Sequence, residues 1–352
     1  MARSIVTALS TSPETVVEDY RRLLTLAAYR ESFRPDRDIA LHVDLTSQPF
    51  LPAASTPPWQ LDGVLETVLG DGMPGDRVFA WYDNAAKMSV SQGKVLNRHA
   101  TVLDRHGISA RCFDEKEHRV YFEPKTPLTV LGTLFHGGVP VPERLVGRNI
   151  MHLSTMKTDA ATTINGAVRG ILYGLLGRDA DRTEGNIHAA MVDALALHRE
   201  IGAGLFAVMD AVFAGEGPNP RDLIPHTANL ILASADPVAL DAVALRIMGF
   251  EPMEVPFIRM AHEAGLGTGD PAEIEISGAD LSDTRFRFSI VEPEGTRRIR
   301  ALRESLPAPV AEFLSTAYHD WYRYLKYGEP RAAEALRGPW GTVFESYRRR
   351  TR

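Results

Sequence analysis

His42-Val-Asp44 sets an imidazole and a carboxylate two residues apart, a spacing that puts both on one face of an extended strand. Such a pair is part of the facial triad that holds a divalent metal in non-haem iron enzymes. It serves equally as a hydrogen-bonded pair touching substrate, so both uses stand. A third ligand would come from elsewhere in the chain, and His99, His106, His136, His152 and His188 qualify by type. The densest polar run, Ser154-Thr-Met-Lys157-Thr158-Asp159, leads into a helix carrying Asn165 and Arg169. Cations, hydroxyls and the unsatisfied N–H groups of a helix start would together hold a small anion. The glycines of a nucleotide-phosphate loop are missing, and Thr158 or Asp159 could simply cap the helix. His188 and Asp210 have the chemistry for proton transfer, against a packed histidine and an Asx turn as the plain alternatives. Asp236, just before Pro237, reads as a helix N-cap or a substrate contact, and Asp241 as a contact within that helix.

The elements that must position these residues follow from periodicity and capping. Helices are expected over residues 13–31, 60–69, 90–106, 186–198 and 237–248. Another helix carries Ile164, Val168, Ile171, Leu172 and Leu175 on one face. Strands are expected over residues 39–45, 77–82, 119–122, 128–131, 148–153, 205–210 and 228–234, with residues 154–159 forming a Ser/Thr-rich turn. Apolar strands alternating with helices predict an α/β fold, a mainly parallel sheet with helices on both faces. In such sheets ligands gather at the carboxyl ends of the strands. The candidate site is therefore His42/Asp44, Tyr82-Asp83-Asn84, residues 154–159, Asp210 and Ser234/Asp236. The core is expected to span residues 1–296. Residues 297–352 form a C-terminal helical appendage or dimer arm, ending in a solvated basic tail, Arg348-Arg-Arg-Thr-Arg352.

Composition narrows the function. With 44% hydrophobic and 24% charged residues among 352, disorder and coiled coil are excluded. A net charge of −6 lacks the positive field of a nucleic-acid binder. The single cysteine, Cys112, rules out an internal disulfide and an iron–sulfur cluster built by one chain. No apolar run reaches the roughly 18 residues of a membrane span, and the first residues lack a secretory apolar core. A cytoplasmic protein without a membrane partner is expected.

Met156-Lys157-Thr158-Asp159, Asn165-Gly-Ala-Val-Arg169-Gly170, the lone His188, Met209-Asp210-Ala211 with Gly215-Glu-Gly217-Pro218, and Ala233-Ser-Ala-Asp236-Pro-Val-Ala-Leu-Asp241-Ala-Val-Ala244 follow one another in order. In this series the chain resembles the family described as domain of unknown function 362, over about residues 38–278. Asp159 stands where that family usually has histidine, Arg169-Gly170 where it has Lys-Asn, and His42-Val-Asp44 where a strand commonly reads Lys-Pro-Asn. The ferredoxin-like cysteines of many relatives are missing. The resemblance implies the fold and a pocket with exchanged polar groups, and no particular reaction.

The expectation is an enzyme acting on a small polar or anionic metabolite. Lys157 and Arg169 would hold negative charge, with Thr158, Asp159, Asn165 and Asp236 contacting substrate. His188 and Asp210 would move protons beside Lys157, and a divalent metal such as Fe2+ would sit at His42 and Asp44. A non-catalytic ligand-binding protein is the alternative, and a homodimer is compatible with the C-terminal arm.

Overall fold

The computed structural model describes residues 3–83, 89–113, 118–220, 223–282, 284–291 and 294–348. Asn84 and the basic end, residues 349–352, lie outside them.

The strands are β1 (Ser4–Ser10), β2 (Ile39–Val43), β3 (Val78–Tyr82), β4 (Ser109–Cys112), β5 (Arg119–Phe122), β6 (Val139–Pro142), β7 (Asn149–Asp159), β8 (Thr163–Ile164), β9 (Gly204–Glu216), β10 (Ile224–Ser234) and β11 (Ile274–Gly278). The main sheet runs β11-β1-β10-β9-β7-β2-β3-β4, with β8 pairing only β7, and β5 and β6 form a separate two-stranded sheet. In the main path only β10 is antiparallel to its neighbours. The fold is thus α/β with a mainly parallel sheet.

Alternation along the buried strands divides the core. Ile39, Leu41, Met151, Leu153, Phe206 and Val208 face α1 (Val16–Leu26), α2 (Pro58–Gly70) and, beyond α3 (Val90–Leu96), α4 (His99–His106). Ala40, Ile150, Ala207 and Met209 face the other way. After the short α5 (Leu131–Leu134), that second layer is built from α6 (Ala167–Leu176), α7 (Ile187–Ile201), α8 (Pro237–Met248) and α9 (Pro256–Glu263). The C-terminal region holds α10 (Glu294–Ser305), α11 (Ala308–Thr316), a π-helical stretch at Ala317–Gly328, α12 (Glu329–Ala335) and α13 (Pro339–Ser346). Trp340, Phe344 and Tyr347 return it to the first layer. Phe344 stacks on Phe50 at 4.2 Å, and Trp340 packs against Trp59 at 5.3 Å.

Several elements differ from expectation for identifiable reasons. The helix of residues 90–106 is two helices, because Arg98 takes a left-handed conformation (φ 64°) between them. Residues 154–159 are not a turn. β7 continues to Asp159, and the hydroxyls that suggested a turn hold neighbouring backbone instead, Thr155 donating to Ala53 O and Thr158 to Gly217 O. Both are β-branched and suit an extended chain. Residues 128–131 do not form a strand; Val139–Pro142 pairs with β5. No helix among the described residues is long and apolar enough to cross a membrane.

Candidate functional site

A cavity of ≈ 380 Å³ lies at the carboxyl ends of β2, β3 and β7, closed on one side by α6. His42 and His152 occupy matching positions on the adjacent parallel strands β2 and β7. Their Nδ1 atoms are 2.9 Å apart, and His42 Nε2 lies 3.2 Å from Asp83 Oδ2 just past β3. Both histidines are 3% exposed, yet each contributes to the cavity wall. Close approach of α6 depends on Gly174, where an added Cβ would come to 3.3 Å from the His42 ring. Burial first, and then the neighbouring His42 and His198, push the His152 pKa well below its ordinary value, so His152 is neutral. His152 Nε2 and both ring nitrogens of His198 have no partner among the described residues.

The β7–β8 hairpin builds the opposite wall. Asp159 Oδ1 accepts from the backbone N–H groups of Ala161 and Thr162, an Asx-type turn that lets the chain reverse. The same carboxylate pairs with Arg169. Burial works against the Arg169 charge, but Asp159 and Tyr173 outweigh it and raise its pKa. The hairpin also fixes Asn165 through its N–H to Lys157 O. Asn165 lines the cavity at 8% exposure.

Of the residues named from sequence, the cavity gathers His42, Asp44, Asp159, Asn165 and Arg169. Lys157 is wholly buried behind it, its ammonium 2.6 Å from Asp44 Oδ2 and 2.8 Å from Thr155 Oγ1. Thr158 clamps β7 to Gly217, donating to its carbonyl at 2.6 Å and accepting from its N–H at 2.7 Å. His188 is off the lining, stacked on Phe257 at 6.0 Å. Burial lowers its pKa.

Asp210 lies inside a thirteen-residue strand, not at its end, and alternation turns it to the opposite face of the sheet. There its Oδ2 accepts from Tyr20 OH at 2.7 Å and Trp59 Nε1 at 2.8 Å. Asp236 is at the other end of the sheet, because the β9–β10 hairpin reverses the chain. It caps α8, accepting from Val238 and Ala239 N–H. The expected shared cavity therefore excludes Lys157, Thr158, His188, Asp210 and Asp236.

The helix start expected to bind an anion already has one. Asp241 of α8 accepts from Ala167 N at 2.7 Å and Val168 N at 3.0 Å. Gly166 makes room for it, since a Cβ there would come to 2.2 Å from Asp241 Oδ1. Burial raises the Asp241 pKa to about 7.

The metal pair reads differently in space. Asp44 carries the Lys157 ammonium, whereas His42 Nε2 and Asp83 Oδ2 stand 3.2 Å apart. Two ligands about 2.1 Å from one ion at right angles would be about 3 Å apart. Among the described residues the three-group cluster suited to a metal is Asp62, Glu66 and His106. There Arg105 Nη1 at 2.7 Å and the Tyr347 hydroxyl at 2.9 Å already hold Asp62 Oδ2. Gly174, Asp181 and Glu184 carried no role in the linear reading, which named Asp83 only among the strand-end residues and His152 only among the eligible third ligands. The one local signal was histidine at corresponding places in two apolar strands.

A family model described as Domain of unknown function (DUF362) matches residues 39–246, well over half of the chain. A search of curated proteins with the chain found no match. The matched span begins at β2 and ends within α8, and so takes in the whole cavity wall described above.

Proposed function

The chain belongs to the DUF362 family, and we propose that it is an enzyme that performs acid–base chemistry on a small polar metabolite held in this cavity. The observation that carries the reading is His42, set between Asp83 and His152 in the cavity wall. Neutral His152 accepts the His42 Nδ1 proton and fixes the ring. With Nδ1 engaged by His152 and Nε2 facing Asp83, a proton taken from a substrate O–H or N–H is received by the His42–Asp83 pair, the carboxylate taking it up and the Nε2···Oδ2 hydrogen bond holding it. Asn165 and the Arg169–Asp159 pair orient the polar groups of the substrate. A cytoplasmic setting and a homodimer belong to the same proposal.

A divalent metal, Fe2+ or another, is the second reading, favoured by the His42–Asp83 separation. Such an ion would polarise a substrate oxygen. Metal analysis of the purified protein and of His42→Asn checks it, and an ion retained in full by the variant would rule it out.

The proposal is tested by screening a metabolite collection for turnover with the natural chain and with His42→Asn. The variant should still bind the active compound and lose about 10²–10⁴ in rate. A compound that binds both proteins and is converted by neither would favour the non-catalytic binding protein.

A further inference from the structure

His198 of α7 takes no part in the acid–base step, yet it lies directly behind the residues that do. It is 1% exposed, and its ring packs against His152 with centroids 5.5 Å apart and planes tilted by 56°. Neither of its ring nitrogens has a hydrogen-bond partner among the described residues, and neither does His152 Nε2. Three buried nitrogens on two adjoining rings are thus left unmatched. The backbone makes room for the inner ring at Gly202, where an added Cβ would come to 3.3 Å from both Cε1 and Nδ1 of His198.

The tautomers decide what these nitrogens need. A neutral imidazole carries one N–H and one bare nitrogen. Burial, then His42 and His198, lower the His152 pKa; burial also lowers that of His198 to about 4, against an opposing pull from its own backbone carbonyl. Both rings are therefore neutral. His152 Nδ1, 2.9 Å from His42 Nδ1, accepts the His42 proton, and that puts the His152 proton on Nε2. An unpaired N–H in the interior is costly. His198 packs on the same ring with its Nδ1 edge against Gly202, which leaves its Nε2 as the acceptor. The two rings make no direct hydrogen bond, and one buried water is the usual bridge between polar groups so placed.

We propose that His198 is a positioning residue: through one bound water its Nε2 accepts the His152 Nε2–H, holding His152 in the tautomer that orients His42 toward Asp83. The inference deepens the acid–base reading, on which it rests for the role of His42. A His198 ring that was merely packed would place no such constraint on His152.

Imidazole 15N spectra of the full chain, labelled with 15N-histidine, test the proposal without substrate. The tautomer claim can therefore fail while turnover stands, and hold where no turnover is found. His152→Gln assigns the His152 signals by their loss. In the natural chain His152 should be protonated at Nε2 and bare at Nδ1. His198→Phe should populate the other tautomer and lower turnover of the active compound by about tenfold. His198→Gln, which returns an acceptor near the place of Nε2, should restore both. His152 protonated at Nδ1 in the natural chain would overturn the inference, and that spectrum decides even where His198→Phe does not fold. A folded His198→Phe with the His152 spectrum unchanged would overturn it as well.

Discussion

Two buried polar centres flank the same sheet, and they are finished differently. On the α1/α2 face, Asp210 accepts three hydrogen bonds: from Tyr20 OH and Trp59 Nε1 on one oxygen and from Val212 N–H on the other. Trp340 of α13 packs against Trp59 and also donates to Asn229, so the C-terminal region seals that side. On the α6/α7 face, His42, His152 and Asn165 border an open cavity, and His152 Nε2 has no hydrogen-bond partner among the described residues. A satisfied, closed network holds a fold together, whereas an incomplete one at the carboxyl ends of parallel strands awaits a ligand. Asp210, expected from sequence to move protons, belongs to the first kind.

Substitutions should separate the two centres. The largest effect expected is on catalysis: His42→Asn should reduce turnover by about 10²–10⁴ while changing the denaturation midpoint little. Asp210→Ala should do the reverse. It leaves the Tyr20 and Trp59 donors buried and unpaired, at about 1–3 kcal/mol each, and urea unfolding would measure the loss. Ligand binding per folded molecule should stay unchanged.

Acidity provides a comparison of similar size. Burial raises the Asp210 pKa to about 6, against 3.8 for the unconstrained group. The folded chain therefore holds this proton more tightly than the unfolded chain. The resulting stabilisation is complete below about pH 3.8 and is lost as pH rises through about 6. Unfolding free energies of the natural chain and Asp210→Asn, compared from pH 4 to 7, should diverge against the natural chain by something of the order of 3 kcal/mol. Parallel curves would mean that Asp210 is not the buried acid described.

Smaller effects concern the joints around each centre. Gly166→Ala should lower stability by about 1–3 kcal/mol by displacing Asp241 from the start of α6, and it should also weaken ligand binding at the neighbouring Asn165. Tyr347→Phe removes one hydrogen bond to Asp62 on the closed side. It should cost about 1 kcal/mol in thermal or urea unfolding without touching the cavity.

Much of this arrangement was legible where the signal is local. The Asp236-Pro237 start and Gly249 end of α8 are written in capping chemistry, and the α8 boundaries follow them. The buried strand at residues 39–45 announced β2 and His42. Strand direction was not legible, because alternation of strands and helices does not say which connection is a hairpin. The β9–β10 reversal therefore moved Asp236 to the far end of the sheet. Asp210 was expected at the end of a strand over residues 205–210, yet Val212 and Phe213 carry β9 onward to Glu216. His152 and Asp83 acquire meaning only through the register of β2 with its neighbours, a long-range property that no spacing records. Lys157 looked like a ligand-binding cation because its partner, Asp44, is 113 residues away.

The most direct measurement sets His42→Asn against Asp210→Asn in one turnover assay, with each rate normalised to folded protein. The account predicts that His42→Asn loses nearly all turnover and that Asp210→Asn keeps it. Undiminished turnover in His42→Asn, alongside its loss in a folded Asp210→Asn, would place the chemistry on the wrong face of the sheet and contradict the account.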